Sequence, residues 1–261
     1  LGDIVFIGME TSGELRRRFC AAGLTCISCD NLPAEDGGLI GTHIVGDVFE
    51  TLDRLRAAGQ WPRLAIFHPD CTYHTLAAAW AFADPDFTRY PGVGYHQKVK
   101  PDTIVGLARR REREQSESDV ERIAALPIEF KIIENPKGTI PTRTSLGSPQ
   151  QIVQPYQFGD DASKATCLWL FGLGPLLLDP LLRFSGRLVE WPKGSGKMVE
   201  RWSNQTDSGQ NRETPSENRW IERSRTYGGI AQGVVDHCVK YLRPSHRLRV
   251  DTALQIWMTA A

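Results

Sequence analysis

The feature that most constrains this chain is an alternation of element types. Short apolar runs rich in β-branched residues stand at Asp3–Ile7, Leu24–Ser28, Thr42–Val45, Leu64–Phe67 and Phe130–Ile133. Helical stretches separate most of them. Leu15, Phe19 and Ala22 recur at helical spacing before Gly23 stops the run. Leu52 and Leu55 share a face within Val48–Ala58, and Thr103–Leu126 reads as a long, highly charged helix. Strands alternating with helices indicate βαβ units, so the chain is expected to fold as an α/β protein with a mostly parallel central sheet.

What stops each run matters as much as the run. Ligands of such sheets bind beyond the carboxyl ends of the strands. The first run stops at Gly8 and leads into Glu10-Thr11-Ser12-Gly13, the second at Asp30, and the third at Gly46-Asp47. The fourth stops at His68-Pro69-Asp70-Cys71 and the fifth at Glu134-Asn135-Pro136. Singly, each ending has a plain alternative: a tight turn, a buried thiol, a loop. Their order gives them weight. After Pro136 the pattern changes. Residues 137–160 are rich in Gly, Pro, Thr and Gln, and Ala165–Leu170 is one more apolar run. Residues 185–222 carry Trp191, Trp202 and Trp220 among polar residues and read as irregular structure or a small inserted lobe. Ile230–Tyr241 returns to a helix-compatible pattern, and the tail from Arg243 is basic, then apolar.

A chain of 261 residues has room for a sizeable core, and its formal net charge of zero leaves nucleic-acid contact to a local basic patch. The run Arg109–Arg113 is one candidate, with a solvated helix face as the alternative, because Glu112, Glu114, Glu117 and Glu121 dilute it. The tryptophans are candidates for stacking on bases or for packing a small lobe. Among the six cysteines, Cys26 and Cys29 form a lone Cys-x-x-Cys pair inside a strand-like run, which reads as buried thiols before zinc or redox chemistry. His68, Asp70, Cys71 and His74 are close in sequence, but no metal is expected. No apolar run approaches a membrane span, and with no leader pattern at the N-terminus a cytoplasmic setting is expected.

The series of strand endings resembles the motif order of the cytosine-C5 DNA methyltransferases, most nearly the small divergent methylase-like proteins of bacteriophages. The resemblance covers about residues 3–240, with gaps. It rests on Phe6-Ile7-Gly8, Asp30, Asp47, Pro69-Asp70-Cys71 and Glu134-Asn135-Pro136. It continues through Phe158-Gly159, Ser163-Lys164-Ala165-Thr166 and Arg225-Thr226-Tyr227-Gly228-Gly229. It implies a Rossmann-like S-adenosylmethionine-dependent methyltransferase fold with a small irregular inserted lobe. Residues 1–170 would be the catalytic and cofactor-binding core, 171–222 a candidate target-recognition lobe, and 223–261 a closing helix and tail. It implies a cofactor site from Phe6, Gly8, Glu10, Gly13, Asp30, Asp47 and Pro69, with Asp30 at the ribose and Asp47 at the adenine. It also implies a catalytic group of Cys71, Glu134, Asn135 and Lys164. The partner would be DNA with a cytosine target, in the host cytoplasm if phage-encoded, where the modification evades restriction.

The chemistry explains these residue types. A thiolate adding to C6 of cytosine loads electron density onto C5. Glu134 would bond N3 and the 4-amino group, with its pKa expected to be raised by burial. His68 or Lys164 would favour the Cys71 thiolate. A base inside a duplex must first be flipped out. Three features depart from the family pattern. Glu10 replaces a glycine, Asp70 separates Pro69 from Cys71, and a double-arginine stretch is missing. They leave two alternatives open: a pyrimidine nucleotide acceptor or another transferred group, and a non-catalytic DNA- or protein-binding module.

Overall fold

Every apolar run becomes a strand in the computed structural model, which describes residues 3–212 and 225–243. The strands are β1 (Ile4–Gly8), β2 (Thr25–Asp30), β3 (Thr42–Val45), β4 (Leu64–Phe67), β5 (Phe130–Pro136), β6 (Gln151–Val153) and β7 (Thr166–Phe171). They form one seven-stranded sheet in the order β3-β2-β1-β4-β5-β7-β6. The first five are mutually parallel, as expected. β7 runs antiparallel to both neighbours. The order departs from the dinucleotide-binding order 3-2-1-4-5-6 by this one reversed strand wedged beside β5.

Period-two alternation divides the core into two layers. Val5 and Ile7 face helices α1 (Glu14–Ala21) and α5 (Gly228–Leu242), where Leu15, Phe19, Ile230 and Val234 close the layer. Phe6 faces the opposite way, with Phe67, Ile133 and Trp169, onto helices α2 (Val48–Ala57) and α3 (Gly106–Ala125). Both faces of the sheet are covered, which is why the strands read as unbroken apolar runs. Each large side chain buried this way contributes roughly 1.5–3 kcal/mol.

Polar side chains finish the helices. Asp47 caps α2 by accepting from the Phe49 and Glu50 backbone N–H groups. Lys131, buried within β5, donates to the Ala124 and Leu126 carbonyls at the end of α3, and burial lowers its pKa to about 8. A one-turn helix α4 (Ile140–Arg143) follows β5.

The stretch expected to be irregular structure or a small inserted lobe contains a separate antiparallel hairpin, β8 (Arg187–Glu190) and β9 (Met198–Arg201). Trp202 at its base is buried, stacks on Tyr156 at 4.0 Å and donates to the Phe184 carbonyl, so this tryptophan packs the lobe. Trp191, near the hairpin turn, is exposed. Trp220 and the tail beyond Arg243 lie outside the described residues. No described helix is long and apolar enough to cross a membrane.

Candidate active site

Parallel pairing puts the polar strand endings on one edge. Gly8 pairs with Cys29 and with Phe67, and Phe67 pairs with Ile133, so Asp30, His68 and Glu134 begin side by side. Beyond that edge lies a cleft of about 1040 Å³. That is at the upper end of the size of small-molecule sites. Of the residues expected at a site, Glu10, Asp30, Pro69, Cys71, Glu134, Asn135 and Lys164 line it. Phe6, Gly8, Gly13 and Asp47 do not. Phe6 lies in the core, 5.9 Å from the Phe67 ring. At Gly8 a Cβ would sit 2.6 Å from that same ring, so strand packing demands the glycine. Gly13 takes a left-handed conformation to start α1, and Asp47 is exposed and engaged as a cap.

The wall at β4 and β5 is tied by short bonds. Cys71, half-buried and outside any disulfide, opens a single 3-10 turn, Cys71–Tyr73. Asp70 caps that turn through the Thr72 N–H at 2.8 Å, a local reason for a carboxylate to stand before the cysteine. Buried Asn135 donates from Nδ2 to the Pro69 carbonyl at 2.7 Å and so joins the ends of β4 and β5. The Cys71 carbonyl accepts from the His74 and Thr75 N–H groups, and the His74 carbonyl accepts from Thr139. His74 is fully buried against the Ser116 hydroxyl, at 2.9 Å, and burial lowers its pKa. Gly138 passes so close that a Cβ would lie 2.1 Å from the His74 carbonyl oxygen.

Glu134 is not a lone buried acid. His68 Nδ1 lies 2.8 Å from its Oε2, with both side chains about nine-tenths covered. Burial pushes the Glu134 carboxyl up, but the His68 bond and charge, helped by Lys164, outweigh it and hold the pKa below the usual range. The expected upward shift is thus reversed, because hydrogen bonding and nearby charge outweigh desolvation. His68 Nδ1 is turned to Glu134.

The opposite wall carries acids. Glu10 is buried and accepts from the Gly13 N–H and the Ser12 hydroxyl, so its carboxylate sits over the positive end of α1. Asp30 is partly buried; burial raises its pKa against the pull of the Leu32 N–H. Glu35 reaches the cleft on the loop between β2 and β3 and pairs with Arg225 across it. That loop is held by Arg16, a fully buried arginine that pairs with Asp36 and donates to Ser28 Oγ at 2.6 Å and the Ile40 carbonyl at 2.8 Å. Partial burial pushes Asp36 up, but bonds from Arg16, the Gly38 N–H and Arg17 prevail and hold it at about 2.

In the arginine run on α3, Arg111 is exposed and Arg109, Arg110 and Arg113 are engaged within the chain. Arg109 is buried, donates to the Thr72 and Ile104 carbonyls and lies over the Tyr73 and Phe82 rings. Arg110 pairs with Asp84, and Arg113 lies 4.0 Å from the Phe82 centroid. These side chains brace the segment after Cys71. The later motif segments do meet: Asp160 accepts from the Gly229 N–H at 3.0 Å, and a Cβ on Gly229 would lie 2.3 Å from the Phe158 carbonyl oxygen. Cys26 and Cys29 are buried in β2 as thiols. Among the described residues no group of three or more His, Cys, Asp or Glu is placed to hold a metal. Compared with known proteins, the chain matches no family model and no curated protein.

Proposed function

We propose that this protein is an S-adenosylmethionine-dependent methyltransferase acting on C5 of cytosine in DNA. One observation carries the reading: a thiol and a carboxylate stand at the mouths of adjacent parallel strands, in the same cleft as an acid-lined turn. The mostly parallel sheet with a single reversed strand beside β5 agrees with the fold that the family resemblance implies. The residues fit the cofactor. Glu10, Asp30, Glu35, Asp70, Glu112, Asp119 and Glu134 line the cleft against Arg109, Lys164 and Arg225, an acid excess suited to a sulfonium bearing an ammonium and ribose hydroxyls. Asp30 would hold the ribose, and Glu10 the ammonium. Asp47, engaged as a cap, is left out of the adenine site. When bound, the cofactor supplies an electrophilic methyl group for C5.

The chain's own groups prepare the base. Cys71 adds to C6, and Glu134 meets N3 and the 4-amino group. Asn135 holds the two strand ends in register, and Lys164 balances the charge of Glu134. The acid excess also favours an extruded, neutral base over a free nucleotide, whose phosphates the cleft would repel. Phosphates would stay outside, where Lys193, Lys197 and Trp191 are exposed around the β8–β9 turn. Incubation with radiolabelled cofactor tests the reading. Label should appear in cytosine of DNA; label in free nucleotide moves the acceptor, and label in neither defeats the proposal.

A further inference from the structure

The proposed chemistry leaves one requirement unmet. N3 must receive a proton as C6 is attacked, yet the carboxyl of Glu134 is held below the usual range by His68 and Lys164. An ionised carboxylate has no proton to give. His68 stands where that proton can be kept. It is the first residue beyond β4, as Glu134 falls one residue beyond the paired Ile133 of β5. Parallel register sets the two side by side, at 2.8 Å. Both line the cleft.

We infer that His68 and Glu134 form a single proton-holding unit, in which His68 is a positioning residue that supplies Glu134 with the proton the base requires. This rests on the methyl-transfer reading above. The pair shares one proton between His68 Nδ1 and the Glu134 carboxylate, which lie 2.8 Å apart. As the Cys71 sulfur bonds C6, the C5=C6 pair shifts to C4–C5 and the C4=N3 pair moves onto N3. The proton crosses from Nδ1 to Glu134 and on to N3, leaving His68 neutral. After methyl transfer a water takes the C5 proton as Cys71 leaves, and the N3 proton returns by the same route, so the pair gains no net proton. Other charged or titratable groups stand nearby. Lys164 precedes β7, and the Cys167 thiol on β7 is pushed up by burial and by Glu134. Asp70 and Cys71 lie on the segment beyond β4, and Glu10 beyond β1. Lys164 also stabilises the ionised carboxylate.

Two measurements on the whole protein test this. The first is a ¹⁵N-histidine NMR titration of wild type and Glu134→Gln, with His68 assigned by the signal missing in His68→Asn. The His68 ring ¹⁵N signals should move in Glu134→Gln, reporting loss of the bond from Nδ1 to the carboxylate. Unmoved signals overturn the unit whether or not methyl transfer occurs. The second is covalent trapping by DNA carrying 5-fluorocytosine across pH. His68→Asn, which keeps a donor but holds no transferable proton, should trap about 10²-fold more slowly or worse, with a pH profile that differs from wild type. A His68→Asn rate and pH profile matching wild type overturns the inference. Coupling seen by NMR with no trapping by wild type leaves the unit standing and defeats the methyl-transfer reading instead.

Discussion

The two walls of the cleft are built by different physics. Short hydrogen bonds, many of them to backbone groups, fix the β4–β5 wall: Asn135 to Pro69, Thr72 to Asp70, His74 and Thr75 to Cys71, Thr139 to His74. Ion pairs fix the β1–β3 wall: Arg16 and Arg17 to Asp36, Arg225 to Glu35. Hydrogen bonds between backbone groups tolerate little displacement and do not titrate; the His68–Glu134 pair and the Asp70 cap add charged groups to this wall. Ion pairs tolerate sliding and fail in acid. On the proposed reading, the wall that would make bonds is the stiff one, and the wall that would hold a dissociable cofactor is the adjustable one.

The largest expected effect breaks the charge-held wall. Arg16→Ala strips a fully buried guanidinium from Asp36, Ser28 and Ile40, and should cost about 3–5 kcal/mol in denaturant unfolding. It should also remove an acid sensitivity. The folded pKa of Asp36, about 2, lies below its ordinary 3.8. Its contribution, about 2 kcal/mol, is then complete above pH 4 and lost as pH falls through 2. Wild type should show that loss between pH 4 and 2, and Arg16→Ala should show much less of it.

Gly138→Ala breaks the stiff wall instead. The new methyl meets the His74 carbonyl, so the Cys71 turn must move. We expect about 1–3 kcal/mol of destabilisation and a fall of roughly 10²-fold in methyl transfer, with cofactor affinity by calorimetry close to wild type.

A smaller pair of variants sharpens the contrast between two acids of similar sequence context. Asp30→Ala should weaken S-adenosylmethionine binding by about 1.5–3 kcal/mol. Asp47→Ala should lower stability by about 1 kcal/mol, by loss of its cap, and leave cofactor binding unchanged. Equal loss of binding in both would restore Asp47 to the adenine.

The strands were legible because each is an uninterrupted apolar run with a distinctive end, and their parallel order followed from the intervening helices. β6 was missed because three residues carry no period. The β8–β9 hairpin was missed because exposed strands among charges show no apolar alternation. Asp47 carried a readable signal that the family resemblance displaced: an acid followed three residues later by Glu50 at a helix start is a capping pattern. The His68–Glu134 pair was also within reach, since each residue directly follows one of two four-residue runs that pair in parallel. What sequence could not supply was the balance at Glu134, because burial and an ion pair push its pKa in opposite directions and only geometry sets their sizes.

The central claim is that Cys71 forms a bond to the base. DNA carrying 5-fluorocytosine tests it most directly, because fluorine cannot leave as a cation and the adduct persists after methyl transfer. With S-adenosylmethionine present, wild type should form a covalent protein–DNA species stable to denaturation, and Cys71→Ser should form none. Methyl transfer to cytosine C5 that survives in Cys71→Ala, or an adduct mapped to another residue, would contradict the account.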